Sequence, residues 1–254
     1  MRVLVACEYS GRVRDAFIRR GHDAMSCDLL PTESPGPHYL GDVRDVIGRG
    51  WDLMIAHPPC TYLSVSGMHW TTRGLRDPQL TEDALDFVRM LLAAPIPRIA
   101  LENPVSVISS RIRKPDQSIQ PWWFGEDASK KTCLWLKGLP KLMATNPHPP
   151  RGWQLVKFHG DLLDDDCPDC GIDFADCDCL GPTQDGVEYF EVDGFLFGRN
   201  PPESSKPTWG NQTANGQNKL GPSPDRWKER SRTFEGIADA MAYQWGDDFR
   251  LVAA

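Results

Sequence analysis

The sequence predicts an α/β protein built on a doubly wound, mostly parallel sheet. Short apolar strand segments alternate with helical periodicity through residues 1–143, the pattern of strands joined by crossover helices. Glu8, Asp28, Cys60 and Glu102 each fall just after a predicted strand, where ligands gather in such sheets. The 254 residues and 40% apolar composition suffice for one sizeable core with room for an insertion.

Residues 3–6 form a buried strand. Val13, Ala16, Phe17 and Arg20 then follow helical spacing, and Gly21 ends the helix. Residues 23–27 restart a strand that closes on Asp28, and residues 52–56 form a third that runs into His57-Pro58-Pro59-Cys60. Leu85, Val88, Leu91 and Leu92 make a helical stripe, followed by a strand over 98–101 that ends at Glu102-Asn103-Pro104. The polar connection 61–80 has the length of a functional lid or a disordered loop. Phe234, Ile237, Ala238, Met241 and Trp245 share one face of a last helix, which should dock on the core.

The net charge is -7, but it is unevenly spread: 12 acidic residues and no Lys or Arg lie in 160–193, leaving 28 basic against 23 acidic elsewhere. Local patches decide phosphate contact, so this balance excludes indiscriminate coating of nucleic acid but not a nucleic-acid substrate. No apolar run approaches the roughly 18 residues of a membrane span. An apolar strand begins almost at once after Met1, so no leader is expected and the expected location is cytoplasmic.

Four of the eight cysteines, Cys167, Cys170, Cys177 and Cys179, form a C-x2-C-x6-C-x-C cluster. Four soft thiolates at this spacing suit a tetrahedral structural Zn2+, which can fold an acidic segment lacking its own core. The other cysteines read as reduced thiols. Basic residues Arg111, Arg113, Lys114, Lys130 and Lys131 surround Trp122, Trp123 and Phe124; these suit phosphate contact with base stacking, or the tryptophans are core and the charges a solvated rim.

Gly11 in Cys7-Glu8-Tyr9-Ser10-Gly11 lets backbone amides approach a ligand, and Asp28 can accept hydrogen bonds from a ribose; alternatively Gly11 is a helix-start turn and Asp28 a surface cap. Asp42 is an adenine-side contact or a helix cap. Pro58 and Pro59 hold the Cys60 side chain at a defined angle, and a thiolate is a strong nucleophile; otherwise Cys60 is a small apolar filler. A carboxylate at Glu102, ending a neighbouring strand, can face that thiol.

In order, Val5-Ala6-Cys7-Glu8-Tyr9-Ser10-Gly11, Asp28, Gly41-Asp42-Val43, Pro58-Pro59-Cys60 and Glu102-Asn103 resemble the motifs of cytosine-C5 DNA methyltransferases. Residues 111–117, 119–122, 132–138 and 232–238 resemble compact phage members of that family. The resemblance implies a Rossmann-like S-adenosylmethionine-dependent methyltransferase fold acting on a cytosine flipped out of double-stranded DNA, in a host cytoplasm if phage-encoded. It makes Cys60 the nucleophile that attacks carbon 6 and Glu102 the proton donor to ring nitrogen 3, which together make carbon 5 reactive. Ser109-Ser110-Arg111-Ile112-Arg113 resembles the family's Gln-x-Arg-x-Arg, so Arg111 and Arg113 would support the cytosine; Ser109 stands where the motif has Gln and Pro104 where it has Val. Cofactor contacts implied are Cys7, Glu8, Tyr9, Ser10, Gly11, Asp28, Leu29, Asp42, Val43 and Pro58.

The expected organisation is a catalytic domain over 1–157 and 222–254, an acidic zinc-binding insertion over 158–199, and a flexible linker over 200–221. Three other readings stay open: a C5-pyrimidine transferase using a free nucleotide or another one-carbon donor, a catalytically silent zinc-containing nucleic-acid-binding protein, and a nicotinamide-dependent oxidoreductase, for which the Gly-rich turn is missing.

Overall fold

The computed structural model describes residues 1–149, 153–158, 188–199, 209–213 and 218–246. They fall into two compact units, one of residues 1–121, 130–142 and from 221 onward, the other of 122–129 and 143–220.

The first unit holds a seven-stranded sheet. Its strands are β1 (Arg2–Ala6), β2 (Asp23–Asp28), β3 (His38–Leu40), β4 (Leu53–Ala56), β5 (Arg98–Pro104), β6 (Gln117–Ile119) and β7 (Thr132–Lys137), in the order β3-β2-β1-β4-β5-β7-β6. The first five run parallel, and β7 lies antiparallel to both β5 and β6. This is the doubly wound, mostly parallel sheet expected from the alternation. The winding reverses between β1 and β4, which makes that boundary the switch point.

Alternation along each strand divides the core between the two faces. Leu4, Ala6, Met54, Ala56, Ile99 and Leu101 join one buried cluster with Leu85, Val88 and Leu91 of α3 (Gln79–Leu92), the helical stripe seen in the sequence. Val3 and Val5 point the other way, where α1 (Arg12–Arg19) packs on β1, β2 and the last helix, α6 (Glu235–Gly246). Ile237, Ala238, Met241 and Trp245 of α6 are buried, and the Trp245 indole donates to the Pro140 carbonyl at 3.2 Å.

The connection 61–80 is more ordered than a long loop. It contains α2 (Val65–Thr72), started by the Ser64 hydroxyl accepting from the Gly67 amide at 3.2 Å. Its base is tied down: Arg76 donates to the Thr61 carbonyl and the Thr81 hydroxyl to that of Tyr62. None of the helix's residues is buried, and Val65 and Trp70 are exposed.

The second unit carries a three-stranded antiparallel sheet of β8 (Gln154–Phe158), β9 (Glu188–Val192) and β10 (Phe195–Arg199) in the order β8-β10-β9. Asp193-Gly194 joins β9 to β10, both with positive φ (44° and 82°), as a two-residue hairpin turn requires. Trp122 stacks on Trp209 at 5.2 Å and meets the fully buried Phe197 edge-on at 6.2 Å. Trp122 is itself partly buried, so its ring is packed against core residues without being wholly enclosed. No helix among the described residues is long and apolar enough to cross a membrane.

Candidate active site

The parallel register sets Cys27, Ala6, Ala56 and Leu101 level across four adjoining strands. The residues one step further along, Asp28, Cys7, His57 and Glu102, therefore form a row at the carboxyl edge of the sheet. Each ends, follows or lies within a short strand, which is why so local a pattern could place them on one edge.

Glu102 and His57 meet in that row: Glu102 Oε2 lies 3.1 Å from His57 Nδ1, with side-chain exposures of 15% and 8%. Burial pushes the Glu102 carboxyl up, but the His57 hydrogen bond, the charge of Lys130 and a hydrogen bond from Thr132 outweigh it and hold the group below the ordinary carboxylate value. Cys60 is exposed at the surface. Enough protein surrounds its sulfur that desolvation, and next the Glu102 charge, raise the thiol pKa; Lys130 and Arg230 pull the other way. Cys60, Glu102, Lys130 and Arg230 thus share one electrostatic environment.

The turn that presents Cys60 is fixed from both sides. Its own carbonyl accepts from the amides of Leu63 and Ser64, at 3.1 and 2.8 Å. Asn103, 1% exposed, donates from Nδ2 to the Pro58 carbonyl at 2.9 Å. The loops that follow are joined as well: Val65 donates to Val105, and Val107 to Leu63. His57 Nε2 and Asn103 Oδ1 are buried without a hydrogen-bond partner among the described residues.

Beside this turn is a cavity of about 160 Å³. Cys7, Asp28, Leu29, Asp42 and Val43, five of the expected cofactor contacts, line it together with Pro59 and Phe87. Asp28 is half-buried and its carboxyl is raised, mainly by desolvation, although it accepts the Leu30 amide at 2.9 Å. Asp42 caps the short 3-10 turn Val43–Asp45 through the Arg44 amide and pairs with the Arg44 guanidinium at 2.7 Å, so it is a cap that also borders the cavity. Cys7 adopts a left-handed φ of 58°, unusual for a side chain, which turns the chain from β1 toward α1. Its thiol is pushed far up, chiefly by burial, and that of Cys27 to about 12.

The other expected residues shape the surroundings. Glu8 is buried and turns its carboxylate onto the start of α1, accepting from the Val13 amide at 2.8 Å and the Ser10 hydroxyl at 3.1 Å. Gly11 (φ 77°) precedes that helix, and an added Cβ would come within 2.5 Å of the Arg14 guanidinium. Tyr9 reaches α5 (Arg226–Ser231), donating to the Lys228 carbonyl at 2.8 Å. Pro58 contributes the carbonyl held by Asn103.

Arg111 and Arg113 are not brought to this edge. Arg111, the last residue of α4 (Ile108–Arg111), pairs with Glu82 of α3, at 2.8 and 3.0 Å. Arg113 binds Asp116 at 2.6 Å and the Leu136 carbonyl at 2.9 Å; Leu136 lies opposite Ala100, two residues back from Glu102 along β5. Both guanidinium groups are engaged by the protein itself. Cys167, Cys170, Cys177 and Cys179 lie outside the described residues, and among those described no group of three or more His, Cys, Asp or Glu is placed to hold a metal ion.

Sequence reasoning passed over three participants. His57 was visible beside Pro58-Pro59-Cys60 but had no role until β4 and β5 came into register. Lys130 was grouped with the tryptophans instead of with Glu102. In α5, Arg226-Trp227-Lys228-Glu229-Arg230 is a basic and aromatic run that could have been noticed.

No known protein-family profile matches the chain, and no curated protein does. Among solved structures, it is similar to one described as a prophage-encoded DNA modification methyltransferase of E. coli, with a TM-score of 0.41 and 14% identity over 76% of this chain. The chain spans 60% of that one. It is also similar to WbdD, solved with a kinase inhibitor, with a TM-score of 0.29 and 12% identity over 79% of this chain and 57% of that one.

Proposed function

We propose that the chain is a DNA cytosine-C5 methyltransferase: Cys60 attacks carbon 6 of a flipped cytosine, Glu102 handles the proton at ring nitrogen 3, and S-adenosylmethionine donates the methyl group. The observation that carries this reading is the position of Pro59. It is a wall of the cavity lined by Asp28, and the next residue is Cys60, so nucleophile and cavity are one peptide unit apart.

The residues of the cavity suit the cofactor. Asp28 offers a carboxylate to ribose hydroxyls, as acidic residues at the end of the second strand do in dinucleotide sites. Leu29, Val43 and Phe87 offer apolar surface to an adenine ring. When bound, S-adenosylmethionine supplies an electrophilic methyl group.

The proton exchanged between sulfur and ring nitrogen 3 stays within this chain, and the proton of carbon 5 is released to water. Cys60 starts as a thiol and Glu102 as a carboxylate, in keeping with the direction of each pKa. Sγ forms its bond to carbon 6 while its proton passes to Glu102 and on to ring nitrogen 3. The electron pair thereby placed at carbon 5 makes that carbon nucleophilic. Once carbon 5 is methylated its proton leaves to water as the net proton of the reaction, the S–C6 bond breaks, and nitrogen 3 returns its proton through Glu102 to the sulfur. His57 orients the carboxylate throughout, and such positioned proton transfer contributes about 10²–10⁴ in rate.

The same reading assigns residues 61–80 to covering the gap left by the flipped base. It assigns a structural Zn2+ to Cys167, Cys170, Cys177 and Cys179, supported by their spacing alone.

The test is a duplex bearing 5-fluorocytosine, whose fluorine blocks loss of the group from carbon 5. A covalent adduct mapped to Cys60, dependent on added S-adenosylmethionine, is the expected result. An adduct elsewhere, or none, rejects the reading. Labelled methyl transfer to dCMP but not to DNA would favour the free-nucleotide alternative.

A further inference from the structure

Helix α5 is too short to bury a face of its own, and none of its residues is buried. Three groups from different parts of the sheet edge hold it. The Tyr9 hydroxyl, after β1, donates to the Lys228 carbonyl at 2.8 Å. Lys130, before β7, donates to the Arg230 carbonyl at 3.0 Å. Glu33, after β2, binds the Arg232 guanidinium through two contacts of 2.8 Å. The helix is therefore pinned at the carboxyl edge of the sheet, and its Arg230 is one of the charges that act on the Cys60 thiol.

What α5 presents outward is basic and aromatic. Trp227 is 53% exposed, with Tyr9 tilted toward it at 6.2 Å and Lys228 Nζ over its ring at 5.7 Å. Lys228 pairs with Asp225, and Arg232 with Glu33 and Glu229, so those charges are balanced. Arg230 and Lys131 are exposed and have no ion-pair partner among the described residues. Unbalanced cations on this helix and on the segment that anchors it, beside a half-exposed aromatic ring, complement a phosphate backbone and its bases.

We propose that α5 and Lys131 hold the DNA strand flanking the reacting nucleotide, with Arg230 and Lys131 on phosphates and Trp227 stacked on a neighbouring base. This rests on the cytosine reading and names the surface that delivers the substrate to Cys60. It replaces Arg111, Arg113 and Trp122 as the nucleic-acid contact, because those side chains have partners within the fold.

The experiment measures binding of the full chain to a fluorescein-labelled duplex with a mispaired cytosine, across a salt series. Arg230→Gln should lower the slope of log affinity against log salt by about 0.9, the value for one lost phosphate contact. Trp227→Ala should weaken binding about 5- to 100-fold with the slope unchanged, and Trp227→Phe should recover most of the loss. Both side chains are exposed and all three anchors of α5 survive these changes, so the helix stays in place; coincident thermal unfolding with the wild type checks this.

Wild-type affinity and slope in both variants overturn the proposal, as does a wild-type chain with no salt-dependent binding. Trapping on 5-fluorocytosine, read on the same samples, separates the two claims. Trapping without a change in slope removes the surface and leaves the chemistry; a change in slope without trapping does the reverse.

Discussion

Asn103 donates its Nδ2 hydrogen to the carbonyl oxygen of Pro58, at 2.9 Å and out of reach of water. This contact joins the end of β5 to the turn after β4, and so couples the strand that carries Glu102 to the turn that presents Cys60. Proline supplies no amide of its own at 58 or 59, so the turn has few other ties. Asn103→Ala strands a buried carbonyl and should cost about 1–3 kcal/mol in urea unfolding. If the turn also shifts by about 1 Å, trapping on 5-fluorocytosine should slow about 100-fold. Unchanged trapping in a destabilised variant would limit Asn103 to stability.

The His57–Glu102 pair gives stability a pH signature. The folded pKa of Glu102 lies below its unfolded value, so its contribution is present above the carboxylate range and is lost as pH falls through the folded pKa. His57→Phe removes the donor, leaves burial less opposed, and raises that pKa. The deficit of the variant should be about 1–3 kcal/mol at about pH 7 and should shrink as pH falls through the lowered folded pKa of Glu102, where the wild-type carboxyl also takes up a proton. Urea unfolding across that pH range measures it. A deficit of equal size throughout would mean that packing, not charge, is what His57 supplies.

Gly11 is required by its backbone and by Arg14. At φ 77° a side chain costs about 1–2 kcal/mol, and its Cβ would meet the Arg14 guanidinium within 2.5 Å. That guanidinium is fully buried and holds the 29–37 segment through the Thr32 hydroxyl and the Ser34 carbonyl, at 3.2 and 2.9 Å. Gly11→Ala should therefore destabilise the chain by about 2 kcal/mol or more and speed protease cleavage within 29–37. Cleavage at the wild-type rate would show that Arg14 accommodates the methyl group without releasing the segment.

Metal content tests the cysteine cluster directly. Elemental analysis of the full chain purified without chelator should find one zinc per chain, and Cys170→Ser should lose it. Zinc-free protein that keeps its unfolding profile would dismiss the site.

The elements legible in the sequence are those whose pattern is local. β1, β2, β4 and β5 are short apolar runs, while α1, α3 and α6 repeat their apolar residues at helical spacing. Less legible was α2, whose residues Val65 to Thr72 bury nothing and so lack a stripe to read. β3 has three residues, and only its pairing with Ser26, Cys27 and Asp28 makes it a strand. The position of β7, inserted antiparallel between β5 and β6, depends on partners far away in the chain.

The site divides along the same line. Sequence by itself determined that Asp28, Cys60 and Glu102 lie near the ends of strands, although the structure extends β2 to Asp28 and β5 past Glu102, because the end of an apolar run is a local property. It also determined that a single core was affordable and that the acidic residues were segregated. Tertiary structure alone decided that His57 faces Glu102, that Arg111 and Arg113 satisfy carboxylates and a carbonyl within the fold, and that α5 lies along the sheet edge. The physical reason is that a side chain's role depends on which neighbours compete for it. Long flexible arginines can reach several partners, and those partners exist only once strands far apart in sequence have come into register.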